Sequence, residues 1–161
     1  MNDDWARLTR VREAQLAAAR EAVEQERVRV QASLAQAQRA QAQLQQQAHA
    51  KSALWQDTTQ ALAQGGCGAG TLRQAQVWSG ALDRRIADAG QGVQAAEQAV
   101  AERMAELQQR RSQLRHASSE VEKVRQVHQR LQAAERRGAE VRAEDRLDEL
   151  AAQRWLRVRG S

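Results

Sequence analysis

From Asp3 to Ala63 the chain contains neither proline nor glycine, and it then places Gly65, Gly66, Gly68 and Gly70 within six positions. An unbroken stretch of Ala, Gln, Arg and Glu is built from strong helix formers. At 1.5 Å per residue, about 60 such residues predict a helix of roughly 90 Å. Asn2, Asp3 or Asp4 is placed to cap its start, where carboxylates also complement the helix dipole. The glycine cluster spanning 64–71 is the strong breaker in the chain, and it predicts a turn. Thr71 with Gln74 three residues later reads as the capping box of a second helix, running over about 72–157. Gly80, Gly90, Gly92 and Gly138 fall inside that segment. Each is unfavourable by about 1 kcal/mol relative to Ala in a helix. No turn cluster follows any of them, so the segment reads as one helix.

Composition narrows the fold further. Proline, phenylalanine and tyrosine are absent, and the aromatic residues are Trp5, Trp55, Trp78 and Trp155. A three-dimensional globular core would need more large side chains. Strand-favouring residues are equally sparse. What remains is the signature of long helix or coiled coil.

The net charge of +5 arises from 25 Lys and Arg against 20 Asp and Glu, interspersed in sign. An amphipathic binder of nucleic acid or anionic membrane would segregate a basic face, and the interspersed acids make that the weaker alternative for this chain. Its nearest basic cluster is Arg154, Arg157 and Arg159. A single cysteine, Cys67, offers no internal disulfide. No basic region followed by an apolar run opens the chain, and no window reaches 18 uncharged apolar residues. The expectation is a soluble, cytoplasmic protein without a membrane-inserted segment.

The apolar period decides how the helices pair. Ile86, Val93, Val100, Leu107, Leu114 and Val121 recur every seven residues, with a second column at Ala89, Ala96, Arg103, Arg110, Ala117, Val124 and Leu131. In the first helix Leu16, Val23, Val30, Ala37 and Leu44 form one column, and Leu34, Ala48, Trp55 and Leu62 read as its companion. Such narrow seams are of the coiled-coil kind. Joined by a short turn, they predict an all-α antiparallel coiled-coil hairpin over 1–161. Arg103, Arg110 and Gln41 interrupt the seam and are placed to fix its register. The second helix outruns the first by about 25 residues, or almost 40 Å. That overhang, about 132–159, carries Val141, Leu147, Leu150, Ala151, Trp155 and Leu156 with no helix to cover them, which marks a docking element.

Residues able to carry chemistry are few and scattered. The 65–71 segment lacks the lysine and the preceding strand of a phosphate loop. Cys67 has no His or acidic neighbour in sequence to activate it. His49, His116 and His128 lack metal-ligand spacing, and His128 continues the Val121 column. No catalytic, cofactor or metal residue is therefore assigned, and a non-enzymatic protein is expected. Trp55 reads as a seam residue. Trp78, one turn past the tip near Leu72 and Leu82, is divided between local packing and a partner patch. Trp155 leans to partner binding, since Trp and Arg are common interface anchors.

The run Glu144-Asp145-Arg146-Leu147-Asp148-Glu149-Leu150-Ala151-Ala152-Gln153-Arg154-Trp155 resembles the terminal signature of the FliJ/YscO family, matching at Leu147, Asp148, Glu149, Leu150, Ala151, Arg154 and Trp155. Those proteins are stalk components of flagellar and type III secretion export machines. The start, Trp5-Ala6-Arg7-Leu8-Thr9-Arg10-Val11-Arg12-Glu13, is similar to the family's opening pattern. The Arg- and Ala-rich style resembles the Hrp branch of plant pathogens. The resemblance implies an antiparallel coiled coil whose terminal end meets the hexameric export ATPase, here through Trp5, Leu8, Arg12, Leu147, Asp148, Glu149, Leu150, Arg154 and Trp155. It also implies contact with an export-gate membrane protein near the tip, where Leu72, Trp78 and Leu82 lie, and binding of secretion chaperones by some members. A generic coiled-coil adaptor or tether is the other reading of the same residues.

Overall fold

A computed structural model describes residues 2–66 and 68–159, with side chains from Asp4 onward. Cys67 and the side chains of the proposed caps Asn2 and Asp3 lie outside the described residues. Two helices make up the chain: α1, Asn2–Ala63, and α2, Ala69–Arg159. They pack as an antiparallel hairpin, and among the described residues there is no strand.

The turn is built by backbone geometry that only part of the glycine cluster requires. Gly65 takes a left-handed φ of 73°. Its N–H donates to the Leu62 carbonyl at 3.1 Å, and the Gly66 N–H donates to the Ala61 carbonyl at 3.1 Å. These two bonds form the Schellman stop that satisfies the last carbonyls of α1. The Gly68 carbonyl accepts from the Thr71 N–H at 3.1 Å and the Leu72 N–H at 3.4 Å. Gly68 is thus the cap of α2, and the helix starts at Ala69. Thr71 lies inside the first turn rather than capping it, because the chain reaches helical geometry as soon as Gly68 supplies a carbonyl. Gly80, Gly90 and Gly92 are all accommodated within continuous helix.

The packing divides into two units, Glu21–Ser112 and Met1–Arg20 with Gln113–Ser161. In the first, α1 turns inward Val23, Glu26, Val30, Ser33, Ala37, Ala40, Leu44, Gln47, Lys51, Leu54, Thr58 and Ala61, at alternating spacings of three and four. Apolar residues hold seven of these twelve positions, and Glu26, Ser33, Gln47, Lys51 and Thr58 hold the other five. α2 answers with Ala75, Ser79, Leu82, Ile86, Ala89, Val93, Ala96, Val100, Leu107 and Arg110. Its two columns are those expected from sequence. The companion column of α1 is not: it runs through Ala19, Glu26, Ser33, Ala40, Gln47 and Leu54, one residue earlier than the Leu34, Ala48, Trp55 and Leu62 reading. Leu34, Ala48 and Leu62 are exposed, as is Gln41.

Polar seam residues find partners. Glu26, 1 % exposed, accepts from Arg103 Nη1 at 3.4 Å across the hairpin and from Arg29 Nη1 at 3.2 Å one turn on. Lys51 carries its ammonium out of the seam to Asp83, covering apolar surface with its stem. Trp55 sits half-buried beside the seam, and its Nε1 donates to Ser79 Oγ at 3.2 Å.

In the second unit the same spacing places Trp5, Thr9, Arg12, Leu16 and Ala19 against Leu114, Ala117, Val121, Val124 and His128, with Val121 the most enclosed. Glu13 accepts from Arg125 at 2.7 Å, and Arg12 approaches Glu120 at 3.8 Å. These exposed or half-exposed pairs contribute about 0–1 kcal/mol each and fix alignment more than stability.

A docking surface on the C-terminal extension

The ion pairs of Glu13 with Arg125 and of Arg12 with Glu120 set where α1 ends against α2. Counting back from them, the start of α1 comes level with about residues 131–136 of α2. Beyond that point α2 has no helix beside it, and residues 139–159 are exposed without exception. The seam positions themselves change character there. Continuing the seven-residue frame past His128 and Leu131 gives Glu135, Gly138, Arg142, Asp145 and Glu149. Charged residues on that frame would make a poor prolongation of the intramolecular seam.

Ala152 and Leu156 return to that frame, but the other apolar residues of the extension lie elsewhere on the helix. Leu147, Leu150, Ala151, Trp155 and Val158 follow spacings of three and four, so they share one face. That stripe points away from the continued seam frame. Leu147 is 66 % exposed and Val158 80 %. Trp155 is half exposed, with the Arg159 guanidinium 4.3 Å from its ring centroid. A cation over an indole supplies about 0.5–1 kcal/mol at such a site and holds the ring in one orientation. Arg154 lies on the stripe and Asp148 at its edge, while Glu149 is on the opposite, seam-frame side; all three are exposed.

The N-terminal residues singled out with this motif occupy a different place. Trp5 and Arg12 are half-buried seam positions, and Leu8 is at the margin of exposure. Arg12 donates to Gln15 at 3.0 Å and meets Glu120, while its buried Nε has no hydrogen-bond partner. Trp5 lies level with about residue 133 of α2, so Leu147 is roughly 20 Å further along the helix. The two sets therefore do not converge on one patch.

At the tip, Leu82 is buried in the seam, because it falls seven residues after Ala75. The exposed apolar residues there are Leu72, Trp78 and Val77, the last of which the sequence reading passed over. Along the flank, an open-sided groove is lined by small residues, Ala40, Gly92, Ala95, Ala96 and Ala99, with Gln43 and Arg39 at its edge. Among the described residues no cluster of His, Cys, Asp or Glu could hold a metal ion, and no helix is long and apolar enough to cross a membrane.

A helical hairpin of the coiled-coil kind, with one helix carried past its partner, is the class of protein this fold defines. Comparison of the chain with protein-family models, with curated proteins and with solved structures gave no match.

Proposed function

We propose that this chain is a non-enzymatic coiled-coil adaptor or tether, in which the hairpin is the spacer and the C-terminal extension is the docking end. One observation carries the reading: a run of exposed helix, 139–159, keeps Leu147, Leu150, Trp155 and Val158 on one face where the intramolecular seam has stopped. Apolar side chains held on helix without cover are what an amphipathic helix presents to a partner. Substitutions on the stripe should then abolish association while leaving the hairpin's melting unchanged. A stripe variant that unfolds the hairpin would instead make the extension part of the fold.

A narrower reading, as stalk of a type III secretion export apparatus, is favoured by one further observation. Leu147, Leu150, Arg154 and Trp155, which match the terminal signature of the FliJ/YscO family, are exposed together on that extension. On this reading the partner is the hexameric export ATPase, which hydrolyses ATP while the hairpin transmits or holds position. The test is a pull-down with the export ATPase encoded beside this chain, followed by turnover assays. Wild type should bind and raise ATPase assembly or turnover, and Leu150→Asp and Trp155→Ala should lose both while remaining helical. Absence of binding at low and moderate salt removes the stalk reading and leaves the adaptor.

A further inference from the structure

The extension is not only apolar on one face; its charge is divided along its length. Residues 140–149 carry five carboxylates (Glu140, Glu144, Asp145, Asp148, Glu149) and two arginines, a net charge of −3. Residues 150–159 carry Arg154, Arg157 and Arg159 and no acid, a net charge of +3. The helix dipole accounts for arginines in the last turn. It gives no reason for the acidic half that precedes them, or for an apolar stripe that straddles the boundary between the two.

Resting on the reading of the extension as a docking end, we propose that this face binds a second copy of the chain, antiparallel, about a two-fold axis near Leu150 and Ala151. Such an interface uses one patch twice, so its requirement is self-complementarity. Antiparallel overlap meets it: the acidic half of each copy lies along the arginine half of the other. Glu144 and Asp148, the carboxylates that border the stripe, come about level in one copy with Arg157 and Arg154 of the other. The same overlap sets Trp155 of one copy against Leu147 of the other, closing the stripe at both ends. Parallel overlap would stack acid on acid and arginine on arginine, which is repulsive along the whole contact. The extension is about 30 Å long, and an isolated helix pair of this length is marginal on its own, so the association is concentration- and salt-dependent.

Sedimentation equilibrium of the full chain, at concentrations up to about 100 μM, tests this at two ionic strengths. The wild-type mass should rise from 17.9 kDa toward twice that value, less so at high salt. Reversing the basic half (Arg154→Glu, Arg157→Glu, Arg159→Glu) or the acidic half (Glu144→Arg, Asp148→Arg) should weaken self-association at least about tenfold in each variant alone. An equimolar mixture of the two should restore it, because each reversed half then faces its opposite. Circular dichroism on each variant separates lost docking from lost helix. A wild type that stays monomeric throughout, a dimer that survives both reversals, or a mixture that fails to restore it overturns the proposal. Leu150→Asp is run in parallel against the export ATPase. Loss of ATPase binding in a monomeric wild-type background keeps the docking end and discards only the second copy as its occupant.

Discussion

Arg103 reaches across the hairpin to Glu26, the most enclosed side chain among the described residues, with Nη1 3.4 Å from Oε1. The carboxylate sits at a seam position between Val23 and Val30, and Arg29 takes its second oxygen at 3.2 Å. A buried carboxylate tolerates only a register that brings an arginine to it. Removing Arg103 (Arg103→Ala) should therefore destabilise the hairpin by about 1–3 kcal/mol, less than a fully buried pair because Arg103 is half exposed and Arg29 remains. Replacing both partners with Leu should be neutral or stabilising in urea denaturation, yet loosen the alignment of the helices. A double-mutant cycle gives the coupling, and spin-label distances across the seam give the register. An unbroadened distance distribution in the double variant would show that the pair does not set alignment.

The turn distinguishes glycines that are required from those that are merely tolerated. Gly65 has positive φ and open space around a Cβ, so Gly65→Ala carries only backbone strain, about 1 kcal/mol. Gly92 has ordinary helical φ and equally open space. Gly92→Ala should stabilise by about 0.5–1 kcal/mol, largely through the unfolded chain. Thermal melts of the two single variants should move in opposite directions.

Stability and docking should separate by position. Val121, the most buried residue of the Met1–Arg20 and Gln113–Ser161 unit, loses its seam contacts in Val121→Ala, at about 2 kcal/mol. Leu150→Asp alters a residue that touches no other helix and should change stability by less than about 0.5 kcal/mol. Equal destabilisation by both would place the extension inside the fold.

Acid should weaken one defined contact. The Lys123 ammonium, hydrogen-bonded to Glu120 at 2.8 Å, holds that carboxyl below its ordinary value, with Arg12 and His116 adding to the effect. A carboxylate depressed in the folded state stabilises above its unfolded pKa, and that contribution disappears as pH falls through the folded value. Compared with Glu120→Gln, wild type should melt slightly higher at neutral pH, and the two curves should converge in acid. Parallel curves from pH 7 down to pH 2 would show that Glu120 contributes nothing.

Much of this architecture was legible in the residues. The absence of Gly and Pro before Ala63 and the glycine cluster after it announce two helices and one turn. The α2 seam is readable because Ile, Val and Leu occupy one of its columns almost without exception. The α1 companion column was misplaced by one residue, because Arg12, Glu26, Ser33 and Gln47 hold it, and apolar counting passes over them to Leu34 and Leu62. Trp5 and Arg12 are expected at a partner surface because of the family resemblance, not because of the apolar period, and both are half-buried seam positions. Leu82 was put on the tip surface for a related reason: its burial depends on spacing from Ala75 and Ser79, two small residues that carry little apolar signal. The extension, in contrast, followed from helix lengths alone.

Amide hydrogen exchange on the full chain, diluted until it is monomeric, tests the central claim most directly. If residues 139–159 are a docking end without intramolecular cover, their amides should exchange at least about a hundredfold faster than those around Val23, Val93 and Val121. Protection of 139–159 equal to that of the seam, in the monomer, would contradict the account and place the extension within the packed fold.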